Sequence, residues 1–467
     1  MSRKLWLIFL LALFLRTLFF YVAYIQSGET YRAVIPYLDG YYQISENLLS
    51  GNGFSRDIAP PFLPDSVRTP LYPLLLAGLV YVFKSYYAVL VVHILLGSLI
   101  PLLAFRIARQ LTANETVATV VAIFSVVEPF TILLSVTILS ETMFTVLFLA
   151  GMTLFLDYSA QLSGRVLASS IAFFAFATLA RPTIQFLPLL LIIAVLFLVK
   201  GRGKLALGHS CIVAGVFLLV VAPWSIRNFL QFGNPALSVQ YASVPYGYLI
   251  PSVIALEKNI GFMEAVKEFY EGEGNINGIE EITLANASYY KARTGDILQK
   301  HPVGLLKSVG VTFFTFFTHD GCLDVLRRLE IAPSVRFSRP AFMMMVTSPR
   351  ETFGRLRPLL TGPLLFVLLG KILWILISVC FVFGVVSYLK EPGRRAQGIF
   401  VLLVVLYFAL TTIAVGLSVN ARFRFPVNTF ILTFAAYGVV IFLQKRKSVV
   451  ASPSTATSAD SPTDTLR

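Results

Sequence analysis

The chain has 467 residues, of which 57% are hydrophobic and 13% charged, and its mean hydropathy is +0.77. Soluble domains carry about a quarter charged residues, so this composition excludes a soluble enzyme and indicates an all-α, polytopic membrane protein. The net charge of +14 is read as topology and not as nucleic-acid binding, because the cytoplasmic loops of membrane proteins collect Lys and Arg.

A membrane span needs about twenty apolar residues. Leu5–Ile25 follows a basic Ser-Arg-Lys start and reads as an uncleaved first span with its N-terminus inside. A polar first outer loop, 26–69, comes next. Pro70–Phe83 is apolar but short, which suits a re-entrant or juxtamembrane helix. Tyr86–Phe105, Thr116–Ser135, Glu141–Tyr158, Val166–Ala180, Thr183–Val199 and Leu205–Pro223 are further predicted spans. A large outer region, 228–361, separates them from the last three, Leu364–Leu389, Gln397–Leu417 and Phe425–Leu443. Within it, Val303–Thr318 is a second short apolar piece. The acidic stretch from Glu257 to Glu281 reads as a solvated helical surface.

With Pro70–Phe83 left out of the count, about ten crossings place Arg106, Arg109, Arg165, the Lys200–Lys204 cluster, Lys390 and Lys445–Lys447 on the inside. Counting it would move Arg106 and the Lys200 cluster outside. The membrane module is therefore 1–445, with about 10–12 membrane helices counting the short ones. The Ser/Thr/Pro-rich 446–467 reads as a disordered cytoplasmic tail. Cys211, Cys322 and Cys380 are scattered and the four histidines form no i, i+4 pair, so neither a disulfide framework nor a metal site is expected.

This topology gathers polar residues at the outer ends of several spans. Asp39 and Glu46 lie in the first outer loop, Arg68 precedes the short helix, and Glu141 opens a span. Arg181, Arg227, Arg422 and Arg424 sit at other outer ends. Charges beside hydrocarbon cost about 2.5–3.5 kcal/mol each at a helix centre, so the set implies a water-filled cavity. Guanidinium groups suit a phosphate, and a carboxylate suits a general base. Tyr41 and Tyr42 could stack on a sugar ring or belong to an interfacial aromatic belt. Arg16, deep in the first span, has Glu128 as one conceivable partner. Gly51-Asn-Gly53 is a turn signal and lacks the spacing of a nucleotide-binding loop.

The order of these motifs resembles the GT-C superfamily, in particular the protein O-mannosyltransferase/ArnT-like branch and its bacterial relatives described as dolichyl-phosphate-mannose-protein mannosyltransferase-like. The resemblance rests on Asp39-Gly-Tyr-Tyr-Gln-Ile-Ser-Glu, Arg68-Thr-Pro-Leu-Tyr-Pro, Glu141 in Leu-Ser-Glu-Thr-Met-Phe, Ala180-Arg-Pro, Pro223-Trp-Ser-Ile-Arg-Asn and Arg422-Phe-Arg-Phe-Pro. It implies a polyprenyl-phosphate-sugar donor, inversion at the anomeric carbon, and a periplasmic active site in a bacterial inner membrane. The implied acceptor is a glycolipid, a cell-envelope polysaccharide or a protein.

Residue by residue, the resemblance puts Asp39 at the first-loop catalytic acid, Glu141 at the second-loop acid and Arg68 at the donor phosphate. The charge pattern adds Arg181, Arg227, Arg422 and Arg424 as phosphate ligands, and Tyr41, Tyr42 and Glu46 as sugar or acceptor contacts. No metal or other cofactor is expected. Many protein O-mannosyltransferases carry an acidic pair where this chain has Asp39-Gly40, which sets protein acceptors behind the others. A transporter or flippase of a lipid-linked anion is the alternative. It would place charges near mid-membrane and show related halves, whereas these charges lie at outer ends and no repeat is visible.

Overall fold

In the computed structural model, residues 2–27, 38–274, 278–332 and 362–450 are described, together with a few isolated positions between 350 and 357. The chain is an all-α polytopic membrane protein. Among the described residues, seven helices are long and apolar enough to cross a membrane, or eight with one bent pair. They are α1 (Arg3–Ser27), α4 (Tyr87–Thr112), α7 (Glu141–Gln161), α10 (Gly203–Phe232) and α17 (Pro363–Leu389), then two composite ones. The first composite helix is α18 (Arg395–Thr411) with the 3₁₀ turn Thr412–Ser418. The second joins α19 (Ala421–Arg424) to α20 (Asn428–Val450).

The bent pair is α5 (Glu115–Val127) and α6 (Pro129–Ser135), at 59°. The sequence reads as one span here, and Pro129 breaks it. Glu128, the residue before the proline, takes an extended conformation (φ −62°, ψ 118°) and caps α6. Its carboxylate accepts from the Thr131 backbone N–H and hydroxyl, both at 2.6 Å. Arg16 consequently does not pair with it. The Arg16 guanidinium is fully buried and bonds Ser135 Oγ and the carbonyls of Ala12 and Ser125 instead.

Two shorter apolar helices, α8 (Gly164–Ala180) and α9 (Leu187–Leu198), stand where two more crossings are expected, with 17 and 12 residues. The helix after the first outer loop, α3 (Leu71–Phe83), has 13 residues. At 1.5 Å per residue that is about 20 Å, short of the roughly 30 Å hydrocarbon core. The last helix runs on to Val450, and 451–467 lies outside the described residues.

The described part of the long segment between α10 and α17 is also helical: α11 (Gln240–Val244), a π-turn at Pro245–Leu249, α12 (Ile250–Lys258), α13 (Phe262–Glu273), α14 (Ala287–Lys300), α15 (Pro302–Thr318) and α16 (Cys322–Arg328). A small hydrophobic core of its own, including Val239, Tyr246, Ile250, Phe269 and Leu284, holds it together. In the acidic stretch, Ala265 and Phe269 are buried while Glu273 is gripped by Arg293 at 2.6 and 2.9 Å. The described end of this region docks on the first outer loop. Val239 N–H donates to the Ser66 carbonyl at 2.8 Å, and Ser238 Oγ donates to the Val67 carbonyl at 2.7 Å. These bonds fix the segment that carries Arg68.

Candidate active site

The site begins at a strained turn. Asp39 has φ 63° and ψ 13°, and Gly40 has φ 73°. Two successive left-handed residues are tolerated because Asp accepts that region better than most side chains and Gly carries no Cβ. Gly40 has a second reason to be glycine: a Cβ there would stand 2.7 Å from Cδ of Arg56. A side chain at this position would have to displace that of Arg56. The turn feeds directly into α2 (Tyr41–Leu49). A bond of 2.6 Å from the Tyr86 hydroxyl to Glu46 Oε1 and another of 2.7 Å between Ser45 and Tyr86 tie that helix down.

Arg68 approaches Asp39 from the other end of the loop. Its Nε donates to the Asp39 carbonyl at 2.7 Å, and its Nη2 lies 3.6 Å from Asp39 Oδ1. The guanidinium sits over the Tyr41 ring, 4.8 Å from its centre. Asp65 sets this geometry. Its Oδ2 accepts from the backbone N–H of Val67 at 3.1 Å and of Arg68 at 2.7 Å, while Oδ1 accepts from Arg56 Nε at 2.5 Å. Asp65 and Arg56 stand outside the motifs that mark the other site residues in the sequence. The signal available was Asp65-Ser-Val-Arg68, an aspartate whose side chain can close a turn on the next backbone amides.

The opposite wall comes from two distant helix ends. Arg422 Nη2 donates to Asp39 Oδ2 at 2.7 Å. Its Nε donates to Glu141 Oε1, and Arg181 Nη1 donates to the same oxygen. Asp39, Arg422, Glu141 and Arg181 thus form one continuous chain of charge, with Arg68 at its head. Glu141 stands in the first turn of α7, where the helix dipole favours a negative charge. Ser140, just before it, shares a 3.0 Å hydrogen bond with the Tyr41 hydroxyl.

Exposure separates the two acids. The Asp39 side chain is 30% exposed and that of Glu141 is 1% exposed. Only Asp39 can readily touch a ligand from solvent. Burial by itself would raise the Asp39 carboxyl, but the Arg422 and Arg68 guanidiniums more than offset this and hold it below its ordinary value.

The other predicted site residues lie elsewhere. Arg227 donates to the Asp65 carbonyl at 2.8 Å and packs on Trp224, 4.7 Å from its ring centre, so it braces the loop from behind. Arg424 is buried. It donates to the carbonyls of Phe316, Phe317 and His319 at 2.7 to 2.9 Å, capping the end of α15. Glu46 belongs to Tyr86, and the Tyr42 ring lies 5.0 Å from the Tyr86 ring. Among the described residues no three His, Cys, Asp or Glu side chains gather as metal ligands.

Comparison with known proteins adds three findings. No curated protein matches the chain in sequence. The fold is similar to solved structures of the Archaeoglobus fulgidus oligosaccharyltransferase. In its apo form the identity is 13% and the TM-score 0.46, covering 93% of this chain and 51% of that one. For the complex with an inhibitory peptide and a dolichol-phosphate, the identity is 13% and the TM-score 0.45, over 96% and 52%. The chain spans about half the length of these structures. Finally, residues 67–226, the segment that carries Arg68, Glu141 and Arg181, match the family model of dolichyl-phosphate-mannose-protein mannosyltransferases.

Proposed function

We propose that the chain is a GT-C type membrane glycosyltransferase that moves a sugar from a polyprenyl-phosphate donor to an acceptor outside the cytoplasm. The observation that carries this reading is the charge chain Arg68–Asp39–Arg422–Glu141–Arg181 at one end of the helix bundle. The family match over residues 67–226 supports it.

In the proposed reaction an acceptor oxygen attacks the anomeric carbon, the bond from that carbon to the phosphate oxygen breaks, and the configuration inverts. The acceptor proton passes to Asp39, the exposed acid. Arg181, Arg422 and Arg68 hold the departing phosphate, whose charge grows as the bond lengthens. Glu141, out of solvent, keeps Arg181 and Arg422 aimed at that place. The reaction needs no metal, because the guanidiniums carry the charge a metal would. Asp39 is a weak base while Arg422 holds it. A donor phosphate that draws Arg422 away would raise the Asp39 pKa, so donor binding prepares the base. The acceptor we infer is a glycolipid, an envelope polysaccharide or a protein, reached from the periplasmic side of a bacterial inner membrane.

The test is transfer by full-length protein in liposomes from a panel of polyprenyl-phosphate sugars. Asp39→Asn should slow sugar release by at least about 10²-fold, the usual contribution of a general base. Arg422→Ala and Arg68→Ala should slow it too. Equal donor consumption by all four proteins refutes the site. Labelled lipid that crosses the bilayer with no sugar released means transport of a lipid-linked anion.

A further inference from the structure

A cavity of about 770 Å³ opens between α1, α4, α7 and α8, away from the Asp39 cluster. Its walls are apolar, with Leu99, Leu102, Val146, Ala150 and Phe173 among them, and its rim at the far end of α4 carries Arg106 and Arg109. Leu99 and Phe173 are exposed, so the trough faces the surroundings of the bundle. From Leu99 to Arg109 is ten residues of one helix, or about 15 Å at 1.5 Å per residue. That is half of a roughly 30 Å hydrocarbon core, the depth of one leaflet.

The two arginines are not equivalent. Asp157 accepts from Arg106 at 2.6 Å and from Gln110 at 2.7 Å, so Arg106 is already neutralised. Among the described residues no carboxylate lies within ion-pairing distance of Arg109. Glu115, which feels the charge of Arg109, is paired with Lys4 at 3.0 Å. Lys4, Arg106 and Arg109 therefore outnumber Glu115 and Asp157 at this rim.

We propose that this trough holds one anionic phospholipid from the leaflet opposite the Asp39 cluster. Its phosphate is bound by Arg109 and its acyl chains lie along Leu99, Ala150 and Phe173. The two parts of the trough match the two parts of such a lipid: an unpaired guanidinium at headgroup level and an apolar wall one leaflet deep. The site stands apart from the proposed catalytic site and does not depend on it.

Native mass spectrometry of the full-length protein in neutral detergent tests this directly. The probes are phosphatidylglycerol, phosphatidylcholine with the same acyl chains, and glycerol 3-phosphate without chains. Wild type should retain phosphatidylglycerol about five-fold better than phosphatidylcholine, the factor given by about 1 kcal/mol for one basic residue near an anionic headgroup. Arg109→Gln should abolish that preference by lowering phosphatidylglycerol retention more than that of phosphatidylcholine, whose phosphate is already offset by its own choline, and Arg109→Lys should restore most of it. Ala150→Phe, which fills the trough, should lower retention of both lipids.

Equal retention of the two lipids by wild type overturns the proposal, as does an undiminished preference in Arg109→Gln. Unchanged lipid retention in Ala150→Phe overturns the placement of the chains. Glycerol 3-phosphate bound as tightly as the lipid would make this a free phosphate site and overturn the lipid reading.

Discussion

At the scale of single residues, the two acids of the site differ in what surrounds them. The Glu141 carboxylate is shared by Arg181 and Arg422 out of solvent. Glu141→Gln leaves Arg181 without its paired carboxylate and Arg422 with Asp39 alone, and breaking a buried pair from one side costs about 3 kcal/mol or more. A lower Tm in thermal unfolding should show it. Asp39→Asn, at a side chain 30% exposed, should cost under about 1 kcal/mol, so its loss of transfer should come without a comparable loss of stability.

Because the folded carboxyl of Asp39 is depressed, its ion pairs stabilise fully above the ordinary value of 3.8. They are lost only as pH falls through the lower folded value. The Tm difference between wild type and Asp39→Asn should therefore stay flat from about pH 8 to about pH 5 and close below the ordinary value. A difference that fades near neutral pH would contradict the ion-paired state.

At the scale of elements, the site depends on helix contacts far from it. Arg422 is carried by α19, which leads through Pro426 into α20. Helix α20 is locked to α17 where Gly384 meets Gly438. A Cβ on Gly438 would stand 2.9 Å from Gly384 Cα, and one on Gly384 would overlap the Phe434 carbonyl. The two backbones touch because neither helix has a side chain there, as in other small-residue membrane contacts. Gly384→Leu should push α20 off α17, cost about 1–3 kcal/mol of overpacking, and reduce transfer with every charged residue of the site intact. Unchanged Tm and transfer would show that the contact gives way freely.

The break at Glu128-Pro129 works on the same scale. It folds α6 over so that the chain reaches Glu141 through a short connection, and it uses Glu128 as a cap and not as a site acid.

At the scale of the whole molecule, the bundle has two unlike ends. Asp39, Glu141, Arg181 and Arg422 meet at one. At the other, Lys4 joins Glu115 and Arg106 joins Asp157, in keeping with the sidedness that the basic residues imply. Cysteine labelling tests this sidedness. Leu63 and Arg202 are both exposed, and with Cys211 replaced by Ser, Leu63→Cys and Arg202→Cys should react from opposite faces of sealed vesicles. Reaction from the same face would overturn the ten-crossing topology.

What the sequence determined by itself is the membrane class and where most of the long apolar helices lie along the chain. Hydropathy carries that information because the bilayer acts on every span separately. Tertiary structure alone decided which of those charges face one another. Arg422 and Arg424 stand two residues apart on one short helix, yet one reaches Asp39 and the other caps α15. Arg181 and Arg227 also end spans on the same side, yet Arg227 turns to the Asp65 carbonyl. A span's sequence fixes the depth of its end but not its rotation about its own axis. Packing sets that rotation, through contacts such as Gly384 on Gly438 and loop bonds such as those of Asp65, which join residues distant in sequence.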